Sequence, residues 1–193
     1  FYTEKYGVVH PTKAGLKIPE IFDAAINREV KGLWIIGEDV VQTDPNSAHV
    51  AKAMNALDLL VVQEIFLSET AKHADVVLPG TTFLEKEGTF TNTERRVQRV
   101  NRAAKPLPGT KPDGVIVTDM MQKLGYDQKS YDADEVLAEI ADVVPFFKGI
   151  TRERLGKLGL QWPVKEDGTD TKILHQKEFK LGKGRIKYFD WKE

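Results

Sequence analysis

The sequence predicts an α/β fold, in which a Rossmann-like layered unit with a mainly parallel sheet flanked by helices is followed by an extended C-terminal tail. Two observations predict it. Short apolar runs rich in β-branched residues alternate with segments whose apolar residues recur at helical spacing, an order typical of parallel strands joined by helices. The chain has 193 residues, 41% of them hydrophobic, which is enough for one such core with an appended segment.

The first predicted elements are a helix and a strand. Ile18 and Pro19 open an amphipathic helix, because proline suits a first helical turn and apolar residues follow at helical spacing. These apolar residues are Ile21, Phe22, Ala25 and Ile26. Residues 30–37 (VKGLWIIG) are a short apolar run ending in glycine, which predicts a strand buried on both faces. Residues 38–45 then form a predicted loop.

A second helix and two more strands follow. Asn46 or Ser47 can cap the helix, whose apolar stripe would cover the sheet. The stripe consists of Val50, Ala53, Met54 and Leu57. Residues 59–63 (LLVVQ) and 74–78 (ADVVL) predict strands separated by a short helical turn at residues 69–73. Pro79 and Gly80 end the third strand.

The second half of the chain changes in character. Residues 83–102 lose the helical pattern and predict extended pieces around a turn at Asn92, on the rim of the unit. Residues 113–124 and 133–144 predict helices, which Gly125 and Pro145 end. We therefore expect a ligand-binding domain over residues 1–147 and a tail over residues 148–193, with a strand-like alternation at residues 185–188.

Composition excludes several kinds of protein. The formal charge of -1 offers no basic surface for nucleic acid or membranes, and no apolar run approaches the roughly 20 residues that cross a bilayer. Without cysteine, the chain forms no disulfide, thiolate zinc site or iron–sulfur cluster of its own. The four histidines lack paired spacing, so we expect no metal site, and no catalytic constellation is recognisable. Since the chain begins at Phe1, we expect it to be part of a longer polypeptide.

A ligand is expected beyond the carboxyl ends of the strands, where three polar loops should emerge. Gly37 would let the first loop turn sharply beside a ligand, and the helix that starts near Asn46 would offer free N–H groups to a pyrophosphate. The glycine-rich patterns of ordinary NAD and ATP sites are absent. A carboxylate of Asp39 or Glu64 could select guanine by accepting from its N1–H and amino groups. Taken alone, however, the pattern favours Asp39 and Asp44 as turn or capping residues.

The third loop is dense in hydrogen-bonding groups. Residues 85–96 could form a ledge for a heteroatom-rich ring such as a pterin, with Asn92 as both donor and acceptor, or could simply face solvent. Arg95 and Arg96 could bind phosphates or pair with Glu94 and other acids, which is the commoner fate of arginine.

Four segments together carry a family resemblance. They are Gly37-Glu38-Asp39 with Gln42-Thr43-Asp44, residues 60–71 (LVVQEIFLSETA), residues 74–79 (ADVVLP) and residues 85–98 (EKEGTFTNTERRVQ). Their order and spacing resemble the molybdopterin oxidoreductases, and specifically the large subunits of formate dehydrogenases. One departure is Gly114, where that family usually has tryptophan; we expect it to loosen the start of its helix.

The resemblance implies a cofactor site. By it, Gly37, Glu38, Asp39 and Thr43 would line the guanosine and phosphates of a molybdopterin guanine dinucleotide. Gln63, Glu64 and Ile65 would border the same nucleotide, and Pro79 and Gly80 would approach it from the third strand. The resemblance assigns no catalytic residue and no metal ligand to this chain.

The resemblance also implies a parent enzyme. That enzyme would oxidise formate with two guanine dinucleotides on one molybdenum or tungsten ion and with a [4Fe–4S] cluster bound elsewhere. Its partners would be the remaining domains of the subunit and electron-transfer subunits, in the cytoplasm and in anaerobic metabolism, and this chain alone would be inactive. Two alternatives stay open: a structural or electron-transfer subunit of a respiratory NADH dehydrogenase complex that lacks the metal cofactor, and a sibling enzyme such as a nitrate reductase.

Overall fold

The computed structural model describes residues 1–179 and residue 182. Helices and strands alternate in its first half, as the sequence predicts. In chain order they are α1 (Tyr2–Tyr6), α2 (Ile18–Ile26), β1 (Gly32–Ile36), α3 (Val40–Thr43), α4 (Ser47–Ala56), β2 (Leu59–Glu64), β3 (Val76–Pro79), β4 (Gly88–Thr91), β5 (Arg96–Val100), α5 (Asp113–Lys123), α6 (Ala133–Val143), α7 (Arg152–Leu155) and β6 (Leu160–Gln161). Short 3-10 helices lie at Thr70–His73, Phe83–Glu85 and Pro145–Phe147.

The described residues form two compact units. The first comprises residues 1–88 and 100–136, and the second comprises residues 89–99 with the described residues from 137 onward. The predicted domain limits at residues 147 and 148 concern a larger enzyme and stay a prediction.

The first unit contains a parallel three-stranded sheet in the order β1-β2-β3. Gly32 is paired with Leu59 at one end, and Glu64 is paired with Pro79 at the other. The core lies between this sheet and helices α2 and α4, and Leu60, Val62 and Met54 are almost fully buried there. The predicted α/β class and parallel sheet are confirmed.

Residues near the helix ends correctly predicted where these helices begin and end. Pro19 lies in the first turn of α2, and the side chain of Asn46 accepts a hydrogen bond from the His49 N–H at the start of α4. Gly125, with φ of +86°, follows the C-terminal end of α5, and α6 ends before Pro145. These predicted starts and stops are confirmed, because each depends on a residue within one turn of the helix end.

Two expectations for the start of the sheet are wrong. Strand β1 is not buried on both faces: Ile35 is buried, but 46% of Ile36 is exposed. Successive residues of a strand point to opposite faces of the sheet, and Ile35 packs in the core with residues of α2 and α4, whereas the face of β1 that carries Ile36 is left exposed. The predicted loop at residues 38–45 contains the short helix α3, because the Asp39 carbonyl accepts the N–H groups of Gln42 and Thr43.

The second unit has a small sheet in the order β4-β5-β6. Strands β5 and β6 are antiparallel, with Val97 opposite Leu160. Val97 packs in a core with Leu137, Ile150 and Leu155. The predicted turn at Asn92 is confirmed, and the tail, as far as residue 179, joins the hairpin in this compact unit. The strand predicted at residues 185–188 lies outside the described residues.

Candidate nucleotide-binding site

The three predicted loops meet at one edge of the parallel sheet. The Gly37 N–H donates to the Gln63 carbonyl over 2.9 Å, which joins the loop after β1 to the end of β2. The Gly80 N–H donates to the Glu64 carbonyl over 3.0 Å, which joins the end of β3 to the same strand. Five predicted site residues, Gly37, Gln63, Glu64, Pro79 and Gly80, are therefore close in space although up to 43 positions apart in sequence.

Gly37 provides an open turn at this edge. Its φ of +63° is a left-handed conformation that glycine adopts without strain. Apart from its two chain neighbours, none of the described residues has an atom within 4 Å of the position that a Cβ would take, so there is free space beside the main chain. Glu38 and Thr43, both exposed, are joined by a hydrogen bond of 2.6 Å from the Thr43 hydroxyl to the Glu38 carboxylate. The first loop therefore combines accessible backbone with exposed polar groups.

The carboxylate of Asp39 is hydrogen-bonded to other residues of the protein. It accepts hydrogen bonds from the Thr70 N–H (2.8 Å), the Thr70 hydroxyl (2.6 Å), the Gln42 side-chain amide (2.6 Å) and the Glu69 N–H (3.3 Å). Partial burial would raise the pKa of Asp39, but these donors outweigh it and lower the pKa below its ordinary value. Since a carboxylate has about four acceptor positions, Asp39 has none left for two guanine donors. The carboxylate makes no capping bond to α3 and instead ties the first loop to residues 69 and 70, so its role is to support the loop.

Glu64 is the last residue of β2, and Ile65 follows it. One oxygen of the Glu64 carboxylate accepts the Ile65 N–H over 2.7 Å, and the described residues provide no other hydrogen-bond donor to this carboxylate. Ile65 is 44% exposed. Of the two carboxylates considered for guanine, Glu64 has the free acceptor capacity.

Gln63 lies below the edge and is only 1% exposed. Its side-chain amide donates to Asp113 over 2.8 Å, and the other oxygen of Asp113 accepts from the Lys86 ammonium. Burial would raise the pKa of Asp113, but Lys86 and Gln63 outweigh it and lower the pKa. The Gln63 Oε1 is buried without a partner among the described residues. Sequence reasoning missed Asp113, Lys86 and Thr70, because their partners lie 27 to 50 positions away.

The polar groups of Asn92 form hydrogen bonds within the turn between β4 and β5. The Asn92 side-chain oxygen accepts the N–H groups of Glu94 and Arg96, and its amide donates to Glu94. Arg96 donates to Glu94 over 2.6 Å and lowers the pKa of that carboxyl, so the acid-pairing interpretation holds for Arg96. These groups stabilise the turn between β4 and β5.

Arg95 has a different role from either one predicted. Its guanidinium donates to the carbonyls of Trp162, Thr171 and Lys172, and it lies 5.7 Å from the centre of the Trp162 ring. Its φ is +68°, a conformation that few non-glycine residues adopt. Arg95 thus connects the hairpin turn to the later part of the second unit.

The described residues contain neither a candidate metal cluster nor a candidate membrane-spanning helix. Within residues 1–179 and 182, no three His, Cys, Asp or Glu side chains are grouped so that they could hold a metal ion. In the same residues, no helix has the length and apolarity needed to cross a membrane.

Comparison with known proteins identifies the family. Residues 8–123 of the 193 match the sequence profile of the family described as Molybdopterin oxidoreductase. The chain belongs to the molybdopterin oxidoreductase family, as the motifs at its strand ends predict.

Two similar proteins within this family carry the name formate dehydrogenase. A formate dehydrogenase subunit alpha of Methanocaldococcus jannaschii is 46% identical over 179 residues, which are 91% of this chain and 26% of that protein. A putative formate dehydrogenase of Staphylococcus aureus strain USA300 is 42% identical over 189 residues, which are 97% of this chain and 19% of that protein. The chain thus spans about a fifth to a quarter of the length of these relatives.

A solved structure shares the fold. Acetylene hydratase from Pelobacter acetylenicus superposes with a TM-score of 0.59 over 78% of this chain and 22% of that chain, at 22% identity. At this identity the likeness concerns the fold alone.

Proposed function

We propose that the chain binds the guanosine end of a molybdopterin guanine dinucleotide as part of the large subunit of a formate dehydrogenase. The observation that carries the proposal is the meeting of three loops at one sheet edge, through the hydrogen bonds of Gly37 to Gln63 and of Gly80 to Glu64. Open parallel sheets bind ligands beyond the carboxyl ends of their strands. The family and the two formate dehydrogenase relatives support this choice of cofactor and enzyme.

The residues at this edge fit a guanosine. Gly37 has free space beside its main chain, and Glu38 and Thr43 add exposed polar groups. The Glu64 carboxylate has acceptor capacity that could receive the N1–H and amino group of guanine, two donors that adenine does not present in that arrangement. We therefore assign guanine selection to Glu64 and assign Asp39 the support of the loop.

When bound, the molybdenum or tungsten pterin would supply two-electron chemistry, which we propose is the oxidation of formate to carbon dioxide. The residues of this chain would hold and orient the nucleotide end, far from the reacting atoms. We accordingly assign no catalytic residue here and expect no formate oxidation by the chain alone. A second guanine dinucleotide, the [4Fe–4S] cluster, the remaining domains and electron-transfer subunits would complete a cytoplasmic enzyme of anaerobic metabolism.

The nucleotide preference can be tested on the 193-residue chain. Isothermal titration calorimetry with GDP and with ADP should give tighter binding of GDP by about tenfold, since ADP would leave the Glu64 acceptor without its donors. Glu64→Gln should remove most of this preference. Glu69→Gln is the matched control, because Glu69 lies in the same loop but its carboxylate pairs with Lys72.

Three results would contradict the proposal. These are equal affinity for GDP and ADP, an unchanged preference in Glu64→Gln, and an equal loss in Glu69→Gln. Formate turnover by the purified chain would contradict the assignment of catalysis to other parts of the enzyme.

A further inference from the structure

A partly buried polar connection lies beneath the proposed site and joins three distant segments. Gln63 at the end of β2 donates its side-chain amide to Asp113, the first residue of α5, over 2.8 Å. Lys86, which follows the 3-10 helix at Phe83–Glu85, donates to the other carboxylate oxygen. Asp113 is therefore the common partner of a strand end and of the segment that follows β3.

Asp113 determines how Gln63 is oriented. The Gln63 side chain is 1% exposed, so its amide group needs an acceptor within the protein. An ionised carboxylate only accepts hydrogen bonds, and so it must face the Gln63 NH₂ group and leave Oε1 directed elsewhere. A side chain that could also donate would allow the reverse orientation.

The connection extends to all three loops. The Gln63 carbonyl accepts the Gly37 N–H, so the residue that Asp113 holds also fixes the turn after β1. A Cβ at Gly80 would lie 3.3 Å from the Asp113 carboxylate, so Asp113 packs directly against the end of the third strand. Moving Asp113 would therefore disturb Gly37, Gln63 and Gly80 together.

The ion pair of Lys86 and Asp113 is partly exposed to solvent. The side chains of Lys86 and Asp113 are only 24% and 39% exposed. The Tyr131 ring occupies the space next to Asp113 that a side chain at residue 114 would fill, and a Cβ there would come within 2.1 Å of the ring. Loss of the Asp113 charge would leave a half-buried ammonium group of Lys86 without its partner.

We propose that Asp113 is a positioning residue for the nucleotide site: through Gln63, Lys86 and its contact with Gly80 it sets the spacing of the three loops. The role rests on the proposed function, because it is binding of the guanosine end that this spacing would serve. Asp113 itself does not contact the nucleotide.

The test uses the near-isosteric variant Asp113→Asn in the 193-residue chain. The GDP dissociation constant should rise about tenfold or more, because the Asn amide can face Gln63 with a donor and cannot neutralise Lys86. Asp58→Asn is the matched control, since Asp58 pairs with Arg28 and immediately precedes β2, at the end of that strand opposite Gln63. It should change GDP affinity less than twofold. Lys86→Arg should retain affinity, whereas Lys86→Met should lose it in part.

A second measurement separates the two proposals. In ¹H–¹⁵N spectra without ligand, Asp113→Asn should shift the Gly37 and Gly80 amide signals and the Gln63 side-chain signal, and Asp58→Asn should leave them in place. Unchanged signals and unchanged GDP affinity in Asp113→Asn would overturn the positioning role. If the original chain fails to bind GDP while these shifts occur, the proposed function falls and the positioning contact stands. If Asp113→Asn does not fold, the same signals and affinity in Lys86→Met decide.

Discussion

Substitutions of Asp39 test whether its carboxylate stabilises the fold or binds the ligand. Asp39→Ala removes the acceptor for all four donors, including the N–H of Thr70, which is 0% exposed. The Thr70 N–H and hydroxyl are both buried, and a buried donor without an acceptor costs about 1–3 kcal/mol, so we expect these two donors together to lower the free energy of unfolding by about 2–6 kcal/mol, while the more exposed donors from Gln42 and Glu69 can turn to water. Asp39→Asn keeps one oxygen for Thr70, and Gln42 can reverse its amide, so we expect a loss below about 1 kcal/mol.

The assay is urea denaturation followed by circular dichroism at pH 7 and at lower pH. Because folding lowers the pKa of Asp39, its contribution is present above the unfolded pKa of about 3.9 and is lost as pH falls through the folded value. The original chain should thus lose more stability on acidification than Asp39→Asn. Equal stability of Asp39→Ala and the original chain, or equal loss in both variants, would refute the assignment of Asp39 to loop support.

Two further predictions concern packing and the second unit. Gly114→Ala should lower the free energy of unfolding by about 1–3 kcal/mol, because the added methyl group would collide with the Tyr131 ring. In a Tyr131→Ala background the same change should cost less free energy, as measured by urea denaturation. An equal cost in both backgrounds would contradict the contact. Arg95→Lys should lower the free energy of unfolding by about 1–3 kcal/mol, because lysine cannot donate to several carbonyls in a fixed fork. Arg102 is exposed, so Arg102→Lys should change the temperature of thermal unfolding little. A smaller effect at Arg95 than at Arg102 would oppose this account.

Local patterns predicted most of the first unit correctly. Asn46 before an apolar stripe, Pro19 in a first turn and Gly125 after a last turn each act within a few residues, so their effect is visible in the sequence. The alternation of strands with helical segments predicted the parallel sheet for a similar reason. The resemblance of the strand-end motifs predicted the family.

Features that depend on distant partners could not be predicted. In the sequence, Gln63 and Asp113 look like ordinary polar residues. They are 50 positions apart, and only folding brings the Gln63 side-chain amide within 2.8 Å of the Asp113 carboxylate. Asp39 could have faced a ligand or a neighbouring loop, and only the position of Thr70 distinguishes the two. The exposure of Ile36 depends on which face of β1 the helices cover, and the apolar run alone does not encode this.

The placement of guanosine at the carboxyl edge of the sheet is tested most directly by a ¹H–¹⁵N titration of the chain with GDP. We expect the largest shifts at the amides of Gly37, Glu38, Glu64, Ile65 and Gly80, with saturation at one common dissociation constant. Shifts confined to other parts of the chain, or none up to millimolar GDP, would contradict the account.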